Sequence, residues 1–324
     1  MKILFITSTR LGDVVLSTGI LNHLVTHSVD PEVTVVCGPL GKTIFEDMPG
    51  LKEIIAVKKE PYAGHWRKIW KRVWTTRWDI VVDLRDSAVS RLIFAKKRYI
   101  WGKKNNKDHH KVEQNAEVLE VSPIPTPHIW IGDELAKKAA ELIPDGDAPV
   151  LAVGPTANWP AKTWPAQNFI DLINRLTETD SDGAVLADAR IAVFAAPGEE
   201  EAAYEVLNSV PEARRIDLIA KTTPAEAAAC LKRCAYYVGN DSGLMHCAAA
   251  VDIPVMGLFG PSFPHLYRPW GVHCDFAQTP ETFDELIDYE GYTPQSVKDS
   301  LMKSLTVENV YLAISDHWKR LISQ

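Results

Sequence analysis

The feature that most constrains this chain is an alternation. Short apolar, β-rich runs are separated, nearly throughout, by segments with helical spacing. In the first half, strands are expected at Lys2–Thr7, Val33–Cys37, Ile54–Val57, Ile80–Asp83 and Arg98–Trp101, with helices over 13–26, 41–47, 65–77, 87–95 and 112–120. In the second half, strands are expected at Val150–Gly154, Arg190–Ala195, Ile216–Leu218, Ala235–Val238 and Val255–Phe259, with helices over 165–178, 199–208, 223–233 and 242–250. Strand and helix in turn predict an α/β chain with mostly parallel sheets and helices on both faces. Pro165 suits the first helical position, where its fixed φ is already helical.

The alternation breaks at residues 121–130, where three prolines at alternate positions favour an extended connector. A length of 324 residues suits two domains, and the connector is the natural boundary. We therefore expect domains over 1–125 and 126–306. A helix is expected over 133–143, and residues 261–306, rich in Pro, Tyr and Phe, read as irregular. A final helix follows from about 307. Two doubly wound domains would face a central cleft lined by the loops that leave the carboxyl ends of their strands.

Composition narrows the class. Hydrophobic residues make up 46% and charged residues 24%, as in a soluble globular protein. No apolar run approaches the ~20 residues of a membrane span. The apolar start is short and lacks a cleavage pattern, so it reads as a strand, and a cytoplasmic location is expected. Five scattered cysteines suggest neither disulfides nor a metal; Cys230 and Cys234 lack a CxxC or histidine pattern and read as buried thiols. Charge is uneven. Residues 1–112 carry 20 Lys+Arg against 11 Asp+Glu, a net +9, and the remainder carries −16. The basic half would suit an anionic acceptor or an anionic membrane surface.

Three familiar patterns are decoys. No GxGxxG follows the first strand, which disfavours a Rossmann dehydrogenase. Gly38-Pro39-Leu40-Gly41-Lys42-Thr43 has too few residues between its glycines for a P-loop. Asp180-Ser181-Asp182 resembles a metal-binding DxD but sits before a strand and reads as a solvated turn.

The chemistry-bearing segments lie at strand ends. In Asn240-Asp241-Ser242-Gly243-Leu244-Met245-His246, small polar residues open an Ala-rich helix. Capping explains one of them. A glycine in the first turn weakens the helix but lets an anion approach its free N–H groups. Asp241 is a poor phosphate neighbour and suits a sugar hydroxyl or the orientation of other donors. Thr156-Ala157-Asn158-Trp159-Pro160-Ala161-Lys162 offers a lysine charge and amide donors from the loop after the first strand of the second domain. In Arg10-Leu11-Gly12-Asp13, the aspartate could cap a helix or act as a general base. Trp66, Trp70, Trp74 and Trp78 recur every four residues, an arc of about 120° on one helix face. Arg67, Lys68, Lys71 and Arg72 flank them, a pattern that suits anionic headgroups as well as core packing. Glu199, in an acidic first turn, could answer the helix dipole or accept ribose hydroxyls.

With these residues in place, the chain resembles glycosyltransferase family 9, the lipopolysaccharide heptosyltransferases. The resemblance runs the length of the chain. It rests on Arg10-Leu11-Gly12-Asp13, Trp78-Asp79-Ile80-Val81-Val82-Asp83-Leu84, Lys162-Thr163-Trp164-Pro165, and Asn240-Asp241-Ser242-Gly243 with His246. It implies a GT-B fold of two Rossmann-like domains, with the final helix, 307–324, crossing back to the first. It also implies inverting, metal-independent transfer from ADP-L-glycero-β-D-manno-heptose to the Kdo-lipid A inner core. Asp13 would be the base. Asn158, Lys162, Ser242 and Gly243 would hold the diphosphate, with Asp241, Glu199 and His246 completing the donor site. Arg10, Trp66, Arg67, Lys68, Lys71 and Arg72 would meet the acceptor. Ser242 stands where many members have Thr, and Ala157 and Asn158 stand where some carry a hydroxyl pair. No metal, cofactor or nucleic acid is implied beyond the nucleotide-sugar donor. The chain would work as a monomer at the cytoplasmic face of the inner membrane, touching it peripherally. The rival readings are a GT-B sugar-nucleotide epimerase, a protein heptosyltransferase and a non-catalytic nucleotide-sugar binder.

Overall fold

The computed structural model describes residues 1–102, 105–178, 185–289 and 291–323. The Asp180-Ser181-Asp182 triplet lies outside them. The chain forms two compact units, Met1–Gly132 with Thr223–Ala225, and Asp133–Thr222 with Glu226–Gln324. The first unit thus runs to Gly132, past the expected boundary at 125/126.

In the first unit the order is β1 Lys2–Ile6, α1 Leu11–Thr26, β2 Glu32–Cys37, β3 Leu51–Ala56, α2 Gly64–Val73, β4 Trp78–Asp83, β5 Ala95–Ile100 and α3 Lys111–Leu119. The five strands form one parallel sheet in the order β3-β2-β1-β4-β5. β1 lies in the middle and is buried from Ile3 to Ile6, as a strand covered on both faces must be. Leu4, Ile6, Val36 and Val81 form a core on which α2 sets Ile69 and Val73, four residues apart on one helix face. β5 is an edge strand, and Lys96, Lys97 and Arg98 on it are exposed.

Two expected helices are absent in that form. Over 87–95 there is only a 3-10 turn, Val89–Arg91, before β5. The buried Asp83 carboxylate accepts from the backbone N–H of Arg85 and Ser87 and from the Ser87 hydroxyl, so the chain winds round it and does not enter an α-helix. Over 41–47 the chain forms a 3-10 helix, Pro39–Phe45, which also absorbs the P-loop lookalike. The four-tryptophan stripe is likewise broken. α2 ends at Val73, Trp74 follows it, and Trp78 is a buried residue of β4 whose indole donates to the Val73 carbonyl at 3.0 Å.

In the second unit the order is α4 Asp133–Leu142, β6 Val150–Gly154, α5 Ala166–Thr177, β7 Arg190–Ala195, α6 Glu200–Ser209, β8 Arg215–Ile219, α7 Pro224–Leu231, β9 Tyr236–Asn240, α8 Gly243–Ala250, β10 Val255–Phe259, α9 Pro264–Tyr267, β11 Cys274–Gln278, α10 Phe283–Ile287 and α11 Val307–Ile322. Its six parallel strands run β11-β10-β9-β6-β7-β8. β6, β9 and β10 are wholly buried. β11 falls in the stretch read as irregular. It is a half-exposed edge strand, Cys-Asp-Phe-Ala-Gln, and lacks the continuous apolar run of a central one. Pro165 is the N-cap of α5, one residue before the expected position. α11 packs on α5 and β11 within this unit, with Val310 and Ile314 in the core. Among the described residues no helix is long and apolar enough to cross a membrane.

All five cysteines are free. Burial pushes the Cys37, Cys247 and Cys274 thiols up to about 12 and Cys230 to about 11, so they stay protonated and unreactive, Cys37, Cys230 and Cys247 in the core and Cys274 on the edge strand β11.

α11 is also tied to the sheet by a polar contact. The buried Tyr236 hydroxyl and His317 Nδ1 lie 2.7 Å apart. Burial lowers the His317 pKa, and the nearby Arg320 and His273 add to this while Asp275 opposes it. On acidification the unfolded chain therefore takes up this proton first, and stability falls as pH drops through about 6.5 toward the lowered folded value. In thermal denaturation between pH 7 and 5, His317→Gln is expected to flatten the fall in Tm.

Candidate active site

In a parallel sheet, adjacent strands whose chains continue in opposite directions leave a crevice at their carboxyl ends. In the second unit those strands are β6, which leads to β7 and β8, and β9, which leads to β10 and β11. Their following loops carry the residues singled out above.

The loop after β6 is pinned by Trp164, which is fully buried. Its backbone N–H donates to Asn240 Oδ1 at 3.0 Å, and its indole to the Leu305 carbonyl at 2.8 Å. A single 3-10 turn, Pro160–Lys162, then presents Lys162 to the loop after β9. Lys162 Nζ lies 2.5 Å from Asp241 Oδ2, with the lysine side chain 24% exposed and the aspartate 8%. Taking both charges partly out of water makes the pair depend on each partner. Next to it, Ser242 occupies the N-cap of α8, yet its side chain makes no capping hydrogen bond. The first N–H groups of α8 have no intrahelical partners, and the positive end of its dipole faces outward. Glu199, at the N-cap of α6, accepts from the Thr156 hydroxyl at 2.6 Å and from the Ala196 N–H at 3.3 Å. Asp241, Ser242 and Glu199 all lie within electrostatic reach of one buried phenol, Tyr237. Asn158 is exposed on the same loop as Lys162, and His246 is buried on α8. The second unit thus gathers a lysine, an unspent serine hydroxyl and a helix start suited to a diphosphate, with carboxylates beside them suited to hydroxyls.

In the first unit the corresponding strands are β1 and β4. The N-cap of α1 is Arg10, so Asp13 lies inside the first turn and does not occupy the cap position. Its carboxylate accepts from the Ser8 hydroxyl at 3.1 Å. Lys111 lies close enough for burial, which lowers its pKa, to be opposed by the Asp13 charge. Beside the strand ends is a small open concavity lined by Thr7, Thr9, Lys59, His65, Trp66 and Arg85. Lys59, His65, Arg85 and Lys111 were not singled out from the sequence. Their only signal there is position just beyond a strand or at a helix start.

The expected acceptor cations divide. Lys68 pairs with Glu60, and Arg72 with Glu53. Among the described residues no carboxylate lies within 4 Å of the exposed Arg10, Arg67 or Lys71. Trp66 packs partly against the core. Trp74 is 45% exposed and stacks on Trp70 at 5.6 Å. Trp70 donates to the Leu92 carbonyl, and Leu92 and Phe94 are each 67% exposed, so an apolar patch continues from the end of α2. Among the described residues no group of three or more His, Cys, Asp and Glu side chains is placed to hold a metal.

A sequence model of glycosyltransferase family 9 (heptosyltransferase) matches residues 66–282 of this chain. The chain belongs to glycosyltransferase family 9. It is a transferase of the heptosyltransferase type. Lipooligosaccharide heptosyltransferase 2 of Haemophilus influenzae is 26% identical over 305 residues, 83% of this chain and 86% of that protein. Lipopolysaccharide heptosyltransferase 2 of Salmonella typhimurium is 25% identical, over 83% and 85%. Among solved structures, a family 9 glycosyltransferase from Veillonella parvula superposes with a TM-score of 0.77 at 21% identity, covering 98% of this chain and 97% of that one. The E. coli ADP-heptose lipopolysaccharide heptosyltransferase II gives 0.75 at 19% identity, covering 99% and 100%. The two parallel-sheet units are therefore those of a GT-B fold.

In this family 9 chain the Lys162–Asp241 pair has a stability consequence. Asp241→Asn and Lys162→Ala should each destabilise by about 1–3 kcal/mol, and the double variant by less than their sum. Chemical denaturation of the four proteins measures the coupling; additive losses would show that the pair does not couple.

Proposed function

We propose that this family 9 enzyme transfers heptose from ADP-L-glycero-β-D-manno-heptose to the Kdo-lipid A inner core of lipopolysaccharide, with inversion and without a metal. The observation that carries the reading is the meeting of Lys162, Asp241 and the uncapped helix start at Ser242 at the carboxyl ends of β6 and β9. Lys162, Asn158, Ser242 and Gly243 hold the diphosphate; Asp241 and His246 lie on the sugar side, and Glu199 reaches the ribose. Asp13 takes the proton from an acceptor hydroxyl as its oxygen bonds to the anomeric carbon. The bond from that carbon to the diphosphate oxygen breaks, and ADP leaves with the electron pair. Lys162 and the α8 N-terminus stabilise the charge that grows on the leaving group, the task a divalent cation performs in other transferases.

The acceptor reading gains residues. Lys59 and Arg85 around the concavity, together with Arg10, Arg67 and Lys71, provide the cations that Kdo carboxylates and lipid A phosphates need, with His65 beside them. The exposed Trp74, Leu92 and Phe94, beside Lys71 and Arg77, form an amphipathic surface suited to an anionic bilayer, here the cytoplasmic face of the inner membrane.

ADP release in the presence and absence of Kdo-lipid A tests the chemistry. Release only with acceptor is expected; release without it points to hydrolysis or epimerase-like chemistry, and ADP binding without turnover points to a silent binder. Asp13→Asn should lower kcat by about 10²–10⁴-fold while calorimetric ADP affinity stays at the wild-type value. Full activity in that variant rules out the base. For the membrane surface, the triple variant Trp74→Ser, Leu92→Ser, Phe94→Ser should co-sediment less with phosphatidylglycerol-containing vesicles; unchanged binding removes that surface from the proposal.

A further inference from the structure

Tyr237 is fully buried on β9, and among the described residues its hydroxyl has no hydrogen-bond partner in bonding geometry. A buried hydroxyl left unpaired is destabilising, so such a group calls for a reason. The ring is there by construction. Gly154 and Gly239 pair across β6 and β9, the two strands of the switch point. A Cβ at Gly154 would lie 2.2 Å from the Tyr237 hydroxyl oxygen, and one at Gly239 would lie 2.4 Å from it. Two glycines on facing strands thus open the slot through which the phenol reaches the end of the sheet. The ring needs some of that room too, since its Cζ would lie 3.0 and 2.8 Å from the same two Cβ positions, but the hydroxyl is the group that comes closest to both.

The Ser242 side chain lies beside the hydroxyl, close enough to interact with it although the hydrogen bond is not completed in this structure. Ser242 stands at the N-cap of an eight-residue helix, in the position where serine normally bonds a backbone N–H two or three residues on, and it makes no such bond. Two hydroxyls side by side, neither spent on the fold, mark a site prepared for a third partner. Burial raises the Tyr237 pKa, so the phenol keeps its proton and remains a donor.

We infer that Tyr237 is a positioning residue of the donor site, whose hydroxyl donates to Ser242 Oγ and thereby turns the Ser242 proton toward the diphosphate of a bound nucleoside diphosphate. The inference rests on the donor reading above. Filling a lone pair on Ser242 Oγ from behind leaves its O–H free to point outward, and hydrogen bonds in such a chain strengthen one another in a low-dielectric surround. The contact to the anion is the charge-assisted one, so it gains most from the alignment.

Tyr237→Phe separates this role from packing, with ADP as the probe. ADP affinity by calorimetry should fall about tenfold, the scale of one hydrogen bond to a charged group, while the ligand-free Tm stays equal or rises because an unpaired buried hydroxyl has gone. Ser242→Ala should lose a similar factor, and the double variant should lose little more than either alone. Undiminished ADP affinity in Tyr237→Phe overturns the inference, as does a fully additive double variant. If wild-type protein binds no ADP, the donor assignment fails and the inference falls with it; if wild type binds and Tyr237→Phe binds equally, the inference alone fails.

Discussion

Everything in this chain follows from burying parallel strands on both faces. Central strands such as β6, Val-Leu-Ala-Val-Gly, and β10, Val-Met-Gly-Leu-Phe, are wholly buried and have no polar side chain to offer along their length. Their crossovers must be helices, and the only places where side chains can escape both layers are the strand ends. Polar chemistry is thereby driven to one edge of each unit. The reversal of strand order then selects two neighbouring loops on that edge, and these carry Lys162 and Asp241–Ser242 in one unit and Ser8–Asp13 and Arg85 in the other.

This constraint also explains what could be read in advance. The central strands Val150–Gly154, Arg190–Ala195 and Val255–Phe259 have their expected limits, because full burial writes an unbroken apolar run into the sequence. Edge strands are solvated on one side and write no such run, so the sequence of β11 reads as irregular chain and that of β5 shows only its end. The segment after β4 departs from its helical spacing for another reason. A helical spacing over 87–95 was overruled by one buried carboxylate, Asp83, that offered the backbone better partners than a helix would.

The candidate site was legible where local chemistry is unusual and illegible where it depends on distant neighbours. Asp241, Ser242 and Lys162 stand at strand ends in segments that capping alone does not explain. That Lys162 and Asp241 touch is a fact of two loops 79 residues apart. The tryptophan stripe shows the opposite error. Four-residue spacing suggested one helix face, but a helix stops where its neighbours stop supporting it, and Trp78 had already joined the sheet. Tyr237 was invisible for a third reason. A tyrosine in an apolar strand looks like core, and only the glycines facing it give its hydroxyl a direction.

The contact between Lys162 and Asp241 bears on how the cycle ends. A lysine that already has a carboxylate beside it is not a bare charge awaiting an anion. A nucleotide must share or displace that carboxylate, and this holds down its affinity on the way in and again, as product, on the way out. If Lys162 holds the diphosphate as proposed, Asp241 is an internal rival that takes the lysine back as ADP departs. In a donor site built this way, the grip on the leaving group is strong while negative charge is being generated and relaxes once the reaction is over.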